Sequence, residues 1–306
     1  MNANMPVNSR RYPWLAVILS LLMPGLGQLY CGAIIRCLLL AGVMSVIGLL
    51  GILAMLPAIP ASPAVVLAFL ALSLMLYGIA ALDAYLMARR LRDDYKPKDY
   101  NRWYAYLLLY VAVSGGYIFS GLYVRDHLLQ AFIVPGSSMY PAIWPGDHLL
   151  AAKNAYLDKD PTVGDIVLFR NPDDRRQFFI KRVVALGGDS VEIRNGELYI
   201  NDIKLKLDKA SPPTNIPMQI PRTKIYFDES NKVAKYRICL PADDNSAMRT
   251  FPKTVVPKNC CFVLGDNRAD SLDSRNFGAI PIVGIIGKAR FIYVPGQDWS
   301  RFGTPR

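Results

Sequence analysis

The chain has 306 residues, 52% of them apolar and 19% charged, with a formal charge of +11. The apolar residues crowd into the part before Leu129 and thin out afterwards, which excludes a uniformly water-soluble chain and suits a membrane part followed by a folded polar part. The basic excess is not gathered into one aromatic-interleaved patch, so no nucleic-acid partner is expected; membrane flanks and anionic lipid account for it.

Residues 1–12 are polar and carry Arg10 and Arg11. The apolar core that follows, Trp14 to Met23, stops at Pro24 and Gly25. A basic start and a short apolar run have the form of a signal peptide's first two regions, but no small-residue cleavage site follows and further apolar runs do, so the segment is read as retained. A span needs about 20 residues, so this segment, about 13–34, is expected to be re-entrant or interfacial. Longer apolar runs at about 37–58, 63–87 and 104–123 are read as three full spans. Arg89, Arg90 and Arg92 follow the second of these and Lys96, Lys98 and Arg102 precede the third, which marks that loop as cytoplasmic. The uncharged PAIPASPA at 57–64 then fits the outer side. Residues 1–129 thus read as a multi-pass anchor in a lipid bilayer. Asp83 is the intramembrane ionisable residue that would point to a transport path instead; anchoring is the plain reading.

From Ile133 the pattern changes to short strands bounded by Gly, Pro, Asp or Asn: DHLLAAK, GDIVLFR, FFIKRVVAL, SVEIR, ELYINDIKL, CCFVLGDN and GIIGKARFIYV. Asn195-Gly196 between two alternating runs is a hairpin signal. The fold class expected is therefore N-terminal transmembrane α-helices followed by a mainly β domain over 130–306. Residues 202–255, rich in Pro, Lys, Asp and Asn, read as an insertion with few strong strands.

Five cysteines are present; Cys31 and Cys37 read as small apolar residues of the membrane part. Cys239, Cys260 and Cys261 form no CxxC spacing, and His127 and His148 lie far from them, so no zinc site is expected. In an oxidising compartment Cys239 is a candidate to pair with Cys260 or Cys261.

The stretch Phe132 to Leu150 places Ser137 and Ser138 in a turn bounded by Pro135, Gly136 and Pro141. A serine hydroxyl needs a base to become a nucleophile. His148 reads as part of a strand leaving the turn, and His127 lies at the end of the last span. Lys181 sits in Phe178 to Leu186, where alternation puts Phe179, Lys181 and Val183 on one face. Apolar neighbours on that face would favour a neutral amine fit to act as a base, whereas a surface strand would let the ammonium snorkel to water. The pattern alone leaves both open.

VPGSSMYPAIWPGD, VGDIVLF, FFIKRVVALGGD and GDNRADSLDSRNFGAIP, in that order behind a membrane anchor, together resemble the boxes of bacterial type I signal peptidases, membrane-bound serine proteases with a Ser/Lys dyad. The resemblance covers about 132–169, 180–198 and 262–294 and implies the following roles. Ser138, before Met139, is the nucleophile and Lys181 the general base. Ser271 offers a hydroxyl near the lysine amine, or else caps a turn. Asp273 and Arg275 support the site as an ion pair, and Asp266 and Asn267 order the same turn. Ser137 and Gly136 flank the oxyanion hole. Phe132, Val134, Leu168 and Ile180, with Pro135 and Met139 beside them, line shallow pockets for small residues, or else are plain core. The implied activity is cutting signal peptides from exported precursor proteins at the bacterial inner membrane, with the catalytic domain on its outer side and no cofactor. A specialised peptidase for a conjugation or pilus protein, and a non-catalytic peptide-binding membrane protein of the same fold, are the rival readings. Two departures stand out. Gly136 replaces a serine whose hydroxyl helps form the oxyanion hole in some members, and Asp270 replaces an asparagine common in the family.

Overall fold

The computed structural model describes residues 10–53, 63–91, 95–98, 100–172, 174–242 and 250–305. The chain divides into two compact units, Met1–Val124 and Arg125–Arg306. The end of the first long apolar run past residue 53, most of the 57–64 loop and Arg92 lie outside the described residues.

The first unit contains helices α1 (Pro13–Leu22), α2 (Leu26–Tyr30), α3 (Ile34–Leu53), α4 (Pro63–Arg90) and α5 (Trp103–Tyr123). Pro13 stands at the first helical position of α1, where its missing N–H costs nothing. Among the described residues three helical stretches, Ile34–Gly51, Leu67–Arg90 and Trp103–Leu128, are long and apolar enough to cross a membrane. The 10 residues of α1, about 15 Å of helix, are too short to do so.

Small residues let α1 and α2 pack closely on α4. Ala80, Ala84 and Ala88, four apart on one face of α4, are fully buried. A Cβ on Gly27 of α2 would lie 2.1 Å from Ser20 Oγ and 2.3 Å from the Ala16 carbonyl oxygen, so only glycine fits there. Gln28 is fully buried. Its Nε2 donates to the Ala80 carbonyl at 2.8 Å and to Asp83 Oδ2 at 3.1 Å, while Arg36 pairs with Asp83 at 3.0 Å. Asp83 is thus a structural partner within the helix cluster. The start of α1 and the end of α2 also meet. The Tyr12 N–H donates to the Tyr30 hydroxyl at 3.1 Å, and the Arg11 guanidinium lies 4.3 Å from the Tyr30 ring and 4.2 Å from the Tyr95 ring. Asn101 Nδ2 donates to the Leu29 carbonyl at 2.7 Å, and the Tyr100 hydroxyl to that of Gly32 at 2.6 Å. So α1 and α2 form a hairpin with both ends against the segment that joins α4 to α5.

The second unit is mostly β. In chain order its strands are β1 (Leu129–Ile133), β2 (His148–Ala152), β3 (Ile166–Arg170), β4 (Phe178–Leu186), β5 (Ser190–Arg194), β6 (Glu197–Ile200), β7 (Ile203–Lys204), β8 (Lys206–Ala210), β9 (Lys224–Ser230), β10 (Lys235–Pro241), β11 (Phe251–Val255), β12 (Cys260–Leu264), β13 (Ile280–Pro281) and β14 (Ile285–Val294), with one short helix, α6 (Ser274–Phe277). They form an antiparallel seven-stranded sheet, β1-β2-β14-β3-β4-β12-β13, a four-stranded sheet, β11-β5-β6-β7, and a three-stranded sheet, β10-β9-β8.

Asn195 and Gly196 both take positive φ, 52° and 83°, as a two-residue hairpin requires. ELYINDIKL, read above as one strand, is broken: Asn201 and Asp202 are also left-handed, at 53° and 63°, and turn the chain back from β6 to β7. The larger departure is at 202–255, which reads as poor in strands and instead builds the whole three-stranded sheet together with β7 and β11. Some of its charges pair across strands, as where Arg237 Nε donates to Asp228 at 2.9 Å between β10 and β9. Composition signals loop there because it counts charges without counting their partners.

The cysteines are all free thiols. Cys239 packs with Tyr140, Trp144 and Tyr226, its Sγ donating to the Tyr140 carbonyl at 3.5 Å. Cys261 belongs to a different cluster, with Val167, Val183 and Ile280.

Candidate active site

The loop between β1 and β2 carries both serines, and buried contacts hold it in shape. Val134 N–H donates to the Asp147 carbonyl at 2.9 Å and Gly146 N–H to the Val134 carbonyl at 2.7 Å, which closes the loop at its base. The Asp147 carboxylate is fully buried; it accepts from Trp144 N–H at 2.7 Å and Gly296 N–H at 3.1 Å and pairs with Arg301 at 2.8 Å. Arg301 also lies 4.1 Å from the Trp144 ring and donates to the Ala142 carbonyl at 3.0 Å. The Tyr140 and Tyr226 hydroxyls bond at 2.9 Å. Met139, Tyr140 and Ile143 are buried, while Ser137 and Ser138 remain half-buried at the crest.

Lys181, in the middle of β4, reaches this crest. Its Nζ is 2.7 Å from Ser138 Oγ and 5.3 Å from the centre of the Phe179 ring. The residue is 3% exposed. Burial pushes the amine below the ordinary lysine value, to about 8; Asp273 and Asp266 oppose the shift and Arg275 adds to it. A buried ammonium loses hydration that a hydroxyl and a ring do not replace, so the neutral form gains. Of the two strand readings left open above, the buried one is found.

The carboxylates near the amine are taken up by arginines. Asp266 is bidentate with Arg182, at 2.7 Å and 2.6 Å, and both side chains are buried. Asp273 caps α6, accepts from Gly265 N–H at 3.0 Å and pairs with Arg275 at 2.8 Å. Arg275 in turn donates to the Arg268 carbonyl at 2.6 Å. The Ser271 hydroxyl is buried, and among the described residues it has no hydrogen-bond partner, Lys181 included. It lies against Gly265, where an added Cβ would come 2.2 Å from Ser271 Oγ and 2.5 Å from the Ser138 carbonyl oxygen. Gly265 is therefore the point where the β12 turn and the serine loop touch, and it has no room for a side chain.

The remaining positions divide. Gly136 and Pro135 are exposed, and a Cβ on Gly136 would meet nothing within 4 Å. Val134, Met139 and Leu168 are core residues of one cluster, against which the half-buried Phe132 and Ile180 pack. His148 faces elsewhere, with its Nδ1 3.4 Å from the Tyr293 hydroxyl. Sequence reasoning missed the Arg182–Asp266 pair, the Arg301–Asp147 pair and Lys224. Lys224 Nζ donates to Asp270 Oδ2 at 2.6 Å and to Asn267 Oδ1 at 2.9 Å. No spacing links these partners; the one available signal was the unusual Asp270, which a buried cation would explain.

Among the described residues no group of three or more His, Cys, Asp or Glu could hold a metal ion. What the arrangement offers is a hydroxyl, an amine poised near neutrality and backbone N–H groups, the parts of nucleophilic acyl transfer.

The chain is similar to several known proteins. The family described as "Signal peptidase, peptidase S26" matches residues 101–294. A signal peptidase I from Bacillus amyloliquefaciens is 32% identical over 205 residues, covering 66% of this chain and 90% of that one. A signal peptidase I from Aquifex aeolicus is 31% identical over 214 residues, covering 59% and 81%. Thylakoidal processing peptidase 1 of Arabidopsis thaliana is 33% identical over 186 residues, covering 58% of this chain; the match spans 45% of that longer protein. Among solved structures, a crystal structure of a signal peptidase I from Enterococcus faecalis is 27% identical, with a TM-score of 0.26, covering 42% of this chain and 97% of that one.

Proposed function

The chain belongs to the signal peptidase family, peptidase S26, and from that premise we propose that it is a membrane-anchored serine endopeptidase that removes signal peptides from exported precursor proteins, with Ser138 as nucleophile and Lys181 as general base. The observation that carries the assignment of roles is the 2.7 Å separation of a buried amine from a serine oxygen. Neutral Lys181 takes the Ser138 proton as Oγ attacks the scissile carbonyl carbon. The negative charge that develops on the carbonyl oxygen is met by backbone N–H groups, chiefly that of Ser138. The resulting ammonium returns its proton to the leaving amine, which departs and leaves an ester on Ser138. Lys181 then deprotonates a water, which attacks the ester carbon; the bond to Oγ breaks, Oγ takes the proton back from the Lys181 ammonium, and the precursor's signal segment leaves as a carboxylic acid.

An extended precursor segment can add to β1, which is the edge of the seven-stranded sheet. Phe132 and Ile180, half-buried at its flank, then set the preference for small side chains. The anchor has three spans, α3, α4 and α5, with α1 and α2 as a re-entrant hairpin entering and leaving on the cytoplasmic side. The meeting of Arg11, Tyr30 and Tyr95 at one end supports this, because Arg89 and Arg90 end α4 there. Three spans from a cytoplasmic start put the second unit outside the inner membrane.

The test is cleavage of a purified precursor by the full chain in detergent micelles. Ser138→Ala and Lys181→Met should each lower the rate by roughly a thousandfold or more. Wild-type rates from both variants would remove the dyad.

A further inference from the structure

Lys224 opens β9, in the sheet built by residues 202–255, and its side chain is 5% exposed. It reaches the serine loop through Asn267. Lys224 Nζ donates to Asn267 Oδ1 at 2.9 Å and to Asp270 Oδ2 at 2.6 Å. Asn267 is fully buried. Its Nδ2 donates to the Ser137 carbonyl at 3.2 Å and to Asp270 Oδ2 at 3.2 Å, and its backbone N–H donates to the Ser138 carbonyl at 3.1 Å. The Ser137 carbonyl also accepts from Tyr140 N–H at 3.0 Å. So both carbonyls that flank the nucleophile are held by one asparagine.

A peptide unit is planar and almost always trans. Holding the Ser137 carbonyl oxygen therefore fixes the direction of the Ser138 N–H on the other side of the same peptide. That N–H matters more here than in a chain with a hydroxyl two residues before the nucleophile, because Gly136 supplies none. An asparagine amide has an accepting end and a donating end, and a lysine ammonium only donates. Facing Lys224 thus selects Oδ1 on that side and turns Nδ2 towards Ser137. Asp270 completes the arrangement by accepting from both Lys224 and Asn267, a role that an asparagine at 270 would fill without the charge.

We propose that Lys224 is a positioning residue that, through Asn267, aims the Ser138 N–H at the carbonyl oxygen of the scissile peptide. The inference rests on the peptidase reading given above. It assigns part of the oxyanion hole to the 202–255 sheet.

The experiment measures steady-state cleavage by the full chain in micelles of a synthetic peptide with alanine at the first and third positions before the cut. Lys224→Met should lower kcat by about 10- to 100-fold, change KM less than about threefold, and leave the acid limb of the pH profile in place, because Lys181 is untouched. Lys224→Arg, still a donor-only cation, should keep kcat within about fivefold of wild type. Asn267→Asp gives a second route if Lys224→Met fails to fold: a carboxylate keeps the bond from Lys224 but has no donor for Ser137, so kcat should fall as in Lys224→Met. A wild-type kcat in Lys224→Met or in Asn267→Asp, a loss confined to KM, or a displaced acid limb would overturn the inference. Ser138→Ala is run alongside. Full activity in that variant defeats the peptidase reading itself, whereas Ser138-dependent activity that ignores Lys224 and Asn267 defeats only the positioning role.

Discussion

Lys181 and Lys224 are both buried in the second unit, and both reach the loop that carries Ser138, but their company differs. Lys181 has a serine hydroxyl at 2.7 Å and an aromatic ring at 5.3 Å. The carboxylates near it, Asp266 and Asp273, already face Arg182 and Arg275. Lys224 has a carboxylate of its own at 2.6 Å and an amide oxygen at 2.9 Å. Burial alone therefore does not decide what a lysine does. An arginine cannot give up its proton, so arginines placed on the local carboxylates leave the neighbouring amine as the group that yields. Where a lysine keeps a carboxylate to itself, it serves as a fixed donor and organises its surroundings.

The contrast can be broken most sharply by removing each amine in turn and following stability with pH. The folded-state pKa of Lys181 lies at about 8, below the value of about 10.4 for an unfolded lysine. Below pH 8 the amine is charged in both states and folding bears the full cost of burying it. As pH rises from 8 towards 10.4 the folded state is already neutral while the unfolded state still sheds its proton, so the cost fades. Lys181→Met should therefore raise stability at pH 7 by up to about 3 kcal/mol, with the gain shrinking above pH 8. Thermal melts at pH 7 and pH 10 measure it, and a variant less stable than wild type at pH 7 would mean that the amine is not held at a cost.

A somewhat smaller effect is expected in the rate. Cleavage by the wild-type chain should rise about tenfold per pH unit below about pH 8 and then level off, so kcat/KM at pH 6 should be about a fiftieth of that at pH 8. An acid limb near pH 10 would mean that burial does not hold Lys181 below the ordinary lysine value. The smallest effect concerns Lys224 as a stabilising group. Its partner Asp270 is half exposed and can be rehydrated, but the buried Asn267 Oδ1 loses its donor, so Lys224→Met should cost about 2 kcal/mol, several degrees in Tm. A loss of three times that size would make Lys224 chiefly a structural residue.

The strands that frame the site were legible from alternation and turn residues, because β3, β4 and β12 bury apolar side chains and end at Gly, Asp or Asn. Ser138 and Lys181 were legible as residues through the family likeness, but alternation alone could not show whether the lysine was dry. That depends on the serine loop, Phe179 and the β12 turn closing over it. The sheet at 202–255 was hidden because its strands carry charges whose partners lie on neighbouring strands. The Lys224 network was hidden for a related reason: its members come from β9, the turn after β12 and the serine loop, and no local spacing connects them. In the first unit, the short α1 was visible as too brief to span, whereas its pairing with α2 rests on the contact of Gly27 with Ala16 and Ser20, which composition does not report.

One contact also orders events in time. Asp147, which shapes the serine loop, is neutralised by Arg301, 154 residues further along the chain. During synthesis Ser138 and Asp147 are both added well before Arg301, the cation that braces their loop. A nascent chain thus carries its serine on a loop that lacks this brace until Arg301 has been added.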